Sequence, residues 1–230
     1  MKLSIIIPTY NEAENLPEVI RNLQDVDIGL EKEIIIVDDG STDGSRQLLE
    51  NLEESNIRTY YHSENRGKGC AVRTGISFVS GDIVLIQDAD LEYDPKDYPA
   101  LIRPIIEGSS SVVYGSRRLS KSPVSYSRYL WGSWFLTRVA NLLFSSGLTD
   151  LYTCYKVFRT DVIQDLDLKC RGFEFCPEVT AKLSNRHIEI TEVPISYYPR
   201  SFSEGKKIRW HDGLVGLWTL IQNRFWSKQT

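Results

Sequence analysis

Isoleucine, valine and leucine fall in short unbroken runs through the first half of the chain. Each run gives way to a stretch in which apolar residues return every three or four positions. "KLSIIIP" predicts a buried strand, and the spacing behind it a helix over about 12–23, with Asn11 and Glu14 as its capping pair. "EIIIVDDG" predicts a second strand and residues 47–52 a helix; "IRTYYH" predicts a third strand and residues 68–79 a helix. "DIVLIQDAD" is a fourth strand, followed by a helix near 96–106 and then by the strand "SVVYGS". Strand and helix alternating at this rhythm predict an α/β fold of Rossmann-like type, a mostly parallel central sheet with helices on both faces.

After Arg117 the rhythm is lost. A basic polar stretch, "SRRLSKSPVSYSR", leads into an aromatic helical segment, "YLWGSWFLTRVANLLF". "CYKVFR" then predicts a strand, residues 177–183 a helix, and "IEITEVPISYY" an extended pair broken at Pro194. A basic glycine-containing loop, "PRSFSEGKKIRW", precedes a last apolar helix. With no internal repeat, low-complexity tract or linker, the expectation is a single domain over 1–230. Its parts are a nucleotide-type half (1–115), an elaborated half (116–210) and an amphipathic C-terminal helix (211–230).

In sheets of this kind ligands bind beyond the carboxyl ends of the strands. Pro8, Tyr10, Asn11 and Glu12 follow strand one, Asp38, Asp39, Gly40 and Ser41 follow strand two, and Asp88 and Asp90 follow strand four. Residues two apart in an extended segment share a face, so Asp88 and Asp90 point together. Like charges that close repel unless something positive sits between them. An acidic turn in water would look the same over those three residues, but it does not explain why three polar strand ends converge on one rim.

A glycine-rich phosphate loop is the first candidate for such a rim. "GKGCAVRTG" contains G-x-G, but Val72 stands where a dinucleotide fingerprint needs its third glycine, and the motif does not open the first strand–helix turn. A metal answers the phosphate charge better. Paired hard carboxylates suit Mg²⁺ or Mn²⁺, which prefer oxygen ligands and share them with substrate phosphates. Asp88 and Asp90 would hold the cation, and Glu92 would add a ligand or orient a water.

Charge and cysteine content narrow the partners. A net charge of −4 over 230 residues offers no electrostatic footprint for nucleic acid. Four cysteines without C-x-x-C spacing read as reduced thiols, and the opening strand leaves no targeting segment, so a cytoplasmic location is expected. No apolar run approaches the roughly 20 residues of a spanning helix. All five tryptophans nevertheless lie in the second half. Leu214, Leu217, Trp218, Ile221 and Phe225 recur at helical spacing, with Lys206, Lys207 and Arg209 before them and Arg224 and Lys228 at the far end. That pattern fits an interfacial helix lying on a membrane surface, and equally a helix packed on the domain's own core. The segment 130–144, flanked by Arg128 and Arg138, presents the same choice. His62 and His187 stand alone and read as ordinary surface or core residues. Glu174 and Glu178 open a helix beside the expected site, where either could contact a bound ligand.

"PTYNE", "VDDGSTDGS", "NRGKG", "DADLEYDP" and "GSR", in that order and spacing, resemble the family 2 glycosyltransferases of GT-A fold. Within that family the chain is most similar to the polyprenyl-phosphate (dolichyl-phosphate type) mannosyl- and glucosyltransferases, over residues 1 to about 210. The resemblance implies that Pro8, Tyr10, Glu12 and Asp39 hold the base and ribose of a nucleotide sugar, while Asp38 supports their loop and Lys68 lines the base-proximal wall. Asp88 and Asp90 match the family's Asp-x-Asp metal site, which also makes Asp90 catalytic. Arg117 and Arg128 match arginines for an acceptor phosphate, and Arg200 falls near the donor diphosphate. The implied reaction is a metal-dependent, inverting transfer of a hexose from a UDP- or GDP-sugar to a polyprenyl monophosphate, by a protein bound peripherally to the membrane. "DLYTCYKVFR" departs from both the mannosyl and the glucosyl pattern, with Thr153, Cys154 and Lys156 leaning towards the glucosyl one. A saccharide acceptor, a nucleotidyltransferase and an inactive nucleotide-sugar-binding protein are the alternatives.

Overall fold

The computed structural model describes residues 1–120, 127–199 and 210–226, with the side chains of 127–131 outside that set. Its strands are β1 (Lys2–Thr9), β2 (Glu31–Asp38), β3 (Ile57–Tyr61), β4 (Ile83–Ile86), β5 (Val112–Ser116), β6 (Lys156–Arg159) and β7 (Thr191–Pro194). Its helices are α1 (Leu16–Asp25), α2 (Ser45–Glu50), α3 (Lys68–Ile76), α4 (Tyr98–Ile106), α5 (Ser127–Phe144), α6 (Thr160–Asp165), α7 (Phe175–Asn185) and α8 (Trp210–Phe225). The strands form one sheet in the order β3-β2-β1-β4-β6-β5-β7. Every pairing is parallel except those of β6, which runs antiparallel between β4 and β5.

The isoleucine runs of β1 and β2 are fully buried, as strands covered on both faces require. Their register places Thr9 beside Asp38, so the loops that follow leave the sheet side by side. β4 stops opposite Ile6, three residues short of the end of β1, and opens a notch at the carboxyl rim. The expected cap pair of the first helix is corrected. α1 begins at Leu16, with Asn15 at its N-cap and Pro17 in its first turn, and Asn11 instead adopts φ 50° and accepts a hydrogen bond from Thr42 N at 2.8 Å. Asparagine tolerates that left-handed conformation, and here it ties the β1 loop to the β2 loop.

The C-terminal helix packs on the domain's own core with one face and leaves apolar residues exposed on the other. α8 packs against α5 and α7 through Gly216, Leu220 and Asn223. A Cβ at Gly216 would lie 2.0 Å from Tyr152 Oη, so only glycine permits that approach. The opposite face exposes Trp210 (80%), Leu214, Trp218 (57%) and Phe225. Among the described residues no helix is long and apolar enough to cross a membrane.

Far from the rim, at the amino-terminal end of the sheet, Glu33 is buried and bound by Ser4 Oγ, Ser80 N, Ser80 Oγ, Lys2 Nζ and Arg58 Nη2. Burial alone would raise its pKa, but the hydrogen bonds from Ser4, Ser80 and Lys2 outweigh it and hold the carboxyl at about 2, against an ordinary 4.5. Its stabilisation is therefore complete above pH 4.5 and lost as pH falls towards 2. Glu33→Gln is expected to cost about 3 kcal/mol at neutral pH. It should also flatten the acid limb of stability, read from urea unfolding between neutral and acidic pH.

Candidate active site

The rim is assembled by backbone donors and short side chains. Asn11 N donates to Ser41 Oγ (2.9 Å), Glu12 N to Ser45 Oγ (2.9 Å) and Ala13 N to Asp43 Oδ2 (2.9 Å), which clamps the β1 loop onto the β2 loop. Pro8 and Tyr10 are half-buried there, and Glu12 is buried with Oε2 accepting from Asn15 Nδ2 at 2.8 Å. Asp38 accepts from Ser41 N at 3.3 Å.

Asp39 reaches the other way. Its carboxylate accepts from Arg66 N (3.0 Å) and Gly67 N (2.7 Å), and from His62 Nδ1 (2.6 Å). The far nitrogen of His62 meets Thr74 Oγ1 at 2.9 Å. His62 is thus a buried brace between Asp39 and α3. The sequence signal for it was weak: one histidine at the end of β3, level with the aspartates of β2.

The glycines of "NRGKG" turn out to serve close packing, not a phosphate cradle. Gly67 has φ 96°, and a Cβ there would lie 2.4 Å from Arg171 O. Cys70 N donates to that same carbonyl at 3.0 Å, so residues 170–174 dock on the start of α3. The docked loop is folded by Glu174 and Glu178, the two glutamates expected to reach a bound ligand. Glu174 accepts from Arg171 N and Gly172 N, and Glu178 from Lys169 N and Cys170 N.

At the end of β4, buried Gln87 accepts from Tyr98 Oη (2.7 Å) and Tyr155 Oη (2.9 Å) and donates to Asp88 O (2.8 Å). That fixes the backbone from which Asp88 projects. Leu91 at φ 59° reverses the chain, and Asp90 Oδ1 accepts from Glu92 N at 3.1 Å. Asp88 Oδ1 is bound by Lys68 Nζ at 2.5 Å, each side chain about one-fifth exposed (21% and 19%). Burial would lower the Lys68 pKa, but the Asp88 carboxylate outweighs it, and the ammonium is held above the ordinary lysine range. Glu92 is turned towards the second half of the chain: its Oε2 accepts from Tyr197 Oη (3.1 Å), and its carbonyl from Tyr198 N (2.8 Å).

Among the described residues no three His, Cys, Asp or Glu side chains are gathered as a metal cage. Two hard carboxylates remain at a rim notch, one of them already drawing a cation. That donor set fits Mg²⁺ or Mn²⁺ completed by substrate phosphate and water, and does not fit a closed all-protein site.

On the other side of the notch Arg117 is buried, with Nε and Nη2 donating to Asp150 at 2.7 and 2.8 Å and its guanidinium 5.0 Å from the centre of the Tyr197 ring. Arg128 lies in the first turn of α5, its side chain outside the described residues, and Arg200 is outside them altogether. Lys156 is completely buried, donating to Leu151 O (2.9 Å) and Thr153 O (2.7 Å), and burial lowers its pKa. It holds the 151–153 turn shut against the sheet.

A seven-stranded, mostly parallel sheet with a paired-aspartate notch at its carboxyl rim describes a GT-A fold, and the chain belongs to Glycosyl transferase family 2, which it matches over residues 4–167. Dolichol-phosphate mannosyltransferase of Pyrococcus furiosus is 31% identical over 212 residues, covering 90% of this chain and 59% of that protein. The chain thus spans about three-fifths of the length of that curated relative. Glucosyl-3-phosphoglycerate synthase from Mycobacterium tuberculosis, solved with Mn²⁺, UDP and phosphoglyceric acid, superposes with a TM-score of 0.76 at 18% identity, covering 99% of this chain and 80% of that one. The same enzyme with Mg²⁺ and UDP gives 0.71 at 18% identity, over 99% and 81%. At that identity the likeness is one of fold.

Proposed function

We propose that this chain transfers a hexose from a UDP- or GDP-sugar to a polyprenyl (dolichyl-type) monophosphate, with metal dependence and inversion at the anomeric carbon. The observation that carries the reading is the notch: Asp88 and Asp90 stand at the same rim as Pro8, Tyr10, Glu12 and Asp39. The name of the Pyrococcus relative supports the lipid acceptor.

In this reading Pro8, Tyr10 and Glu12 line the base and ribose, while Asp39 acts through the 66–67 backbone it holds. Asp88 and Asp90 hold Mg²⁺ or Mn²⁺, which when bound supplies positive charge against the departing nucleoside diphosphate. Glu92 serves the notch through Tyr197. Arg128 and Arg117 serve the acceptor phosphate, with Asp150 fixing the direction of Arg117, and Arg200 serves the donor diphosphate. A phosphate monoester has its second pKa near about 6, so the acceptor is already a nucleophile at neutral pH. It needs cations to hold it for attack rather than a strong general base.

A lipid acceptor requires membrane contact, and the exposed face of α8 supports it: indole rings above a packed helix suit the headgroup layer. Protein carrying both Trp210→Glu and Trp218→Glu should lose most of its sedimentation with anionic phospholipid vesicles while keeping its helical circular dichroism. Undiminished sedimentation would remove α8 from the reading.

The test of function is a transfer assay with radiolabelled UDP- and GDP-sugars, a polyprenyl phosphate and Mg²⁺ or Mn²⁺. Label from one donor should move into organic solvent, with the anomeric configuration inverted. Retained configuration would overturn the direct displacement. Nucleoside diphosphate released only with a glycan or a soluble phosphorylated acceptor would discard the lipid half of the reading.

A further inference from the structure

We infer that Lys68 is the resident counter-ion of the metal position, closing Asp88 to a divalent cation that arrives alone and releasing it when a nucleoside diphosphate arrives with the metal. The inference rests on the proposed reading of Asp88 and Asp90 as metal ligands.

Three observations carry it. The first is the contact, Lys68 Nζ to Asp88 Oδ1 at 2.5 Å, in a setting where both side chains are only about one-fifth exposed (19% and 21%). At that depth charges are poorly screened, so a divalent ion on Asp88 would sit beside an ammonium. The second is the placement of the lysine. Lys68 is the first residue of α3, the end of a helix where the macrodipole disfavours a cation. Helix formation gains nothing from a lysine there, and Asp88 offsets the penalty. The third is anchorage. The backbone before Lys68 is fixed by Asp39 binding Gly67 N at 2.7 Å, and the turn after it by Cys70 N on Arg171 O at 3.0 Å. The Phe173 ring, 6.0 Å from Nζ, walls the ammonium on one side. Its base is held, so the ammonium moves by side-chain rotation alone.

A nucleoside diphosphate changes the balance. Its phosphate oxygens offer the ammonium a replacement anion and at the same time complete the coordination of a cation on Asp88 and Asp90. Metal and nucleotide should then bind with strong positive coupling, which by linkage is the same seen from either ligand. Removing the ammonium should strengthen binding of metal alone and shrink the coupling.

The experiment is a Mn²⁺ titration followed by the electron paramagnetic resonance signal of free Mn²⁺, with and without UDP or GDP. It compares wild type with Lys68→Met, Lys68→Gln and Lys68→Arg, each checked for native circular dichroism. Wild type should bind Mn²⁺ weakly alone and at least tenfold more tightly with nucleotide. Lys68→Met and Lys68→Gln should bind Mn²⁺ alone about tenfold more tightly than wild type, whereas Lys68→Arg should stay close to it. Unchanged or weaker Mn²⁺ binding in both neutral variants would overturn the role of Lys68. An Asp88→Asn control separates the two levels: if it leaves nucleotide-supported Mn²⁺ binding intact, the metal reading itself fails.

Discussion

Asp90→Ala should lower the proposed glycosyl transfer by about 10²–10³-fold in kcat, the usual cost of removing one electrostatic partner of a developing charge. The structure makes this a clean experiment. Asp90 projects from the turn after β4, and its carboxylate accepts a local hydrogen bond from Glu92 N. Losing one such hydrogen bond costs about 1 kcal/mol, and native circular dichroism of the variant checks that it folds. A folded but silent variant is therefore expected, with its loss in kcat rather than in the KM for the acceptor. Asp90→Asn keeps the hydrogen-bond acceptor and removes the charge. It should be nearly as inactive, since the charge is what a divalent ion requires. Transfer within tenfold of wild type in either variant would place the metal elsewhere.

The largest effect on stability is expected at Asp150. It is buried, grips the buried guanidinium of Arg117 through two bonds of 2.7 and 2.8 Å, and accepts from Arg117 N as well. Asp150→Ala leaves that guanidinium underground without its anion, a change that costs about 3–5 kcal/mol. The melting temperature should fall by roughly 10 °C for a chain of this size. The pH dependence follows from the same pair. Burial would raise the Asp150 pKa, but the attraction of Arg117 outweighs it and the carboxyl sits below the ordinary range. The stabilisation is thus complete above the ordinary carboxylate pKa and disappears as pH falls through the lowered value. Differential scanning calorimetry across acidic pH should show wild type and Asp150→Ala converging. A double change of Arg117→Met with Asp150→Leu should recover much of the loss, because an apolar pair avoids the desolvation that an ion pair must offset. Activity would stay low if Arg117 serves the acceptor phosphate.

The carboxyl rim was readable in the sequence because strand ends in a parallel sheet are marked by abrupt change. Uniform isoleucine stops, and Asp38, Asp39, Asp88 and Asp90 appear within a residue or two. Contacts between distant segments were not readable in the same way. Nothing near Lys68 in the chain announces Asp88, and nothing near Gly67 announces the carbonyl of Arg171. Gln87 is one more residue of the strand expected over "DIVLIQDAD", yet two tyrosines from other segments make it the strut beneath Asp88. Local signals misled once, at Asn11 and Glu14, which have cap chemistry while the helix starts only after Asn15, with Pro17 in its first turn. Direction was the other gap. "KVFR" is a competent strand, but four residues carry no record of which way they run, and β6 lies antiparallel to both neighbours.

That reversed strand has a consequence for synthesis on the ribosome. β5 emerges 40 residues before β6, yet its place in the sheet is beside β6, not β4. Until Lys156–Arg159 leave the exit tunnel, β4 has one naked edge and β5 has nowhere to dock. A fragment ending near residue 115 would keep most of the rim residues, Asp88 and Asp90 among them, but it would present the open edge of β4 to other nascent chains and invite aggregation. The first half is therefore no detachable module. Its last wall is laid by the half that follows, and a soluble truncation has to extend past β6.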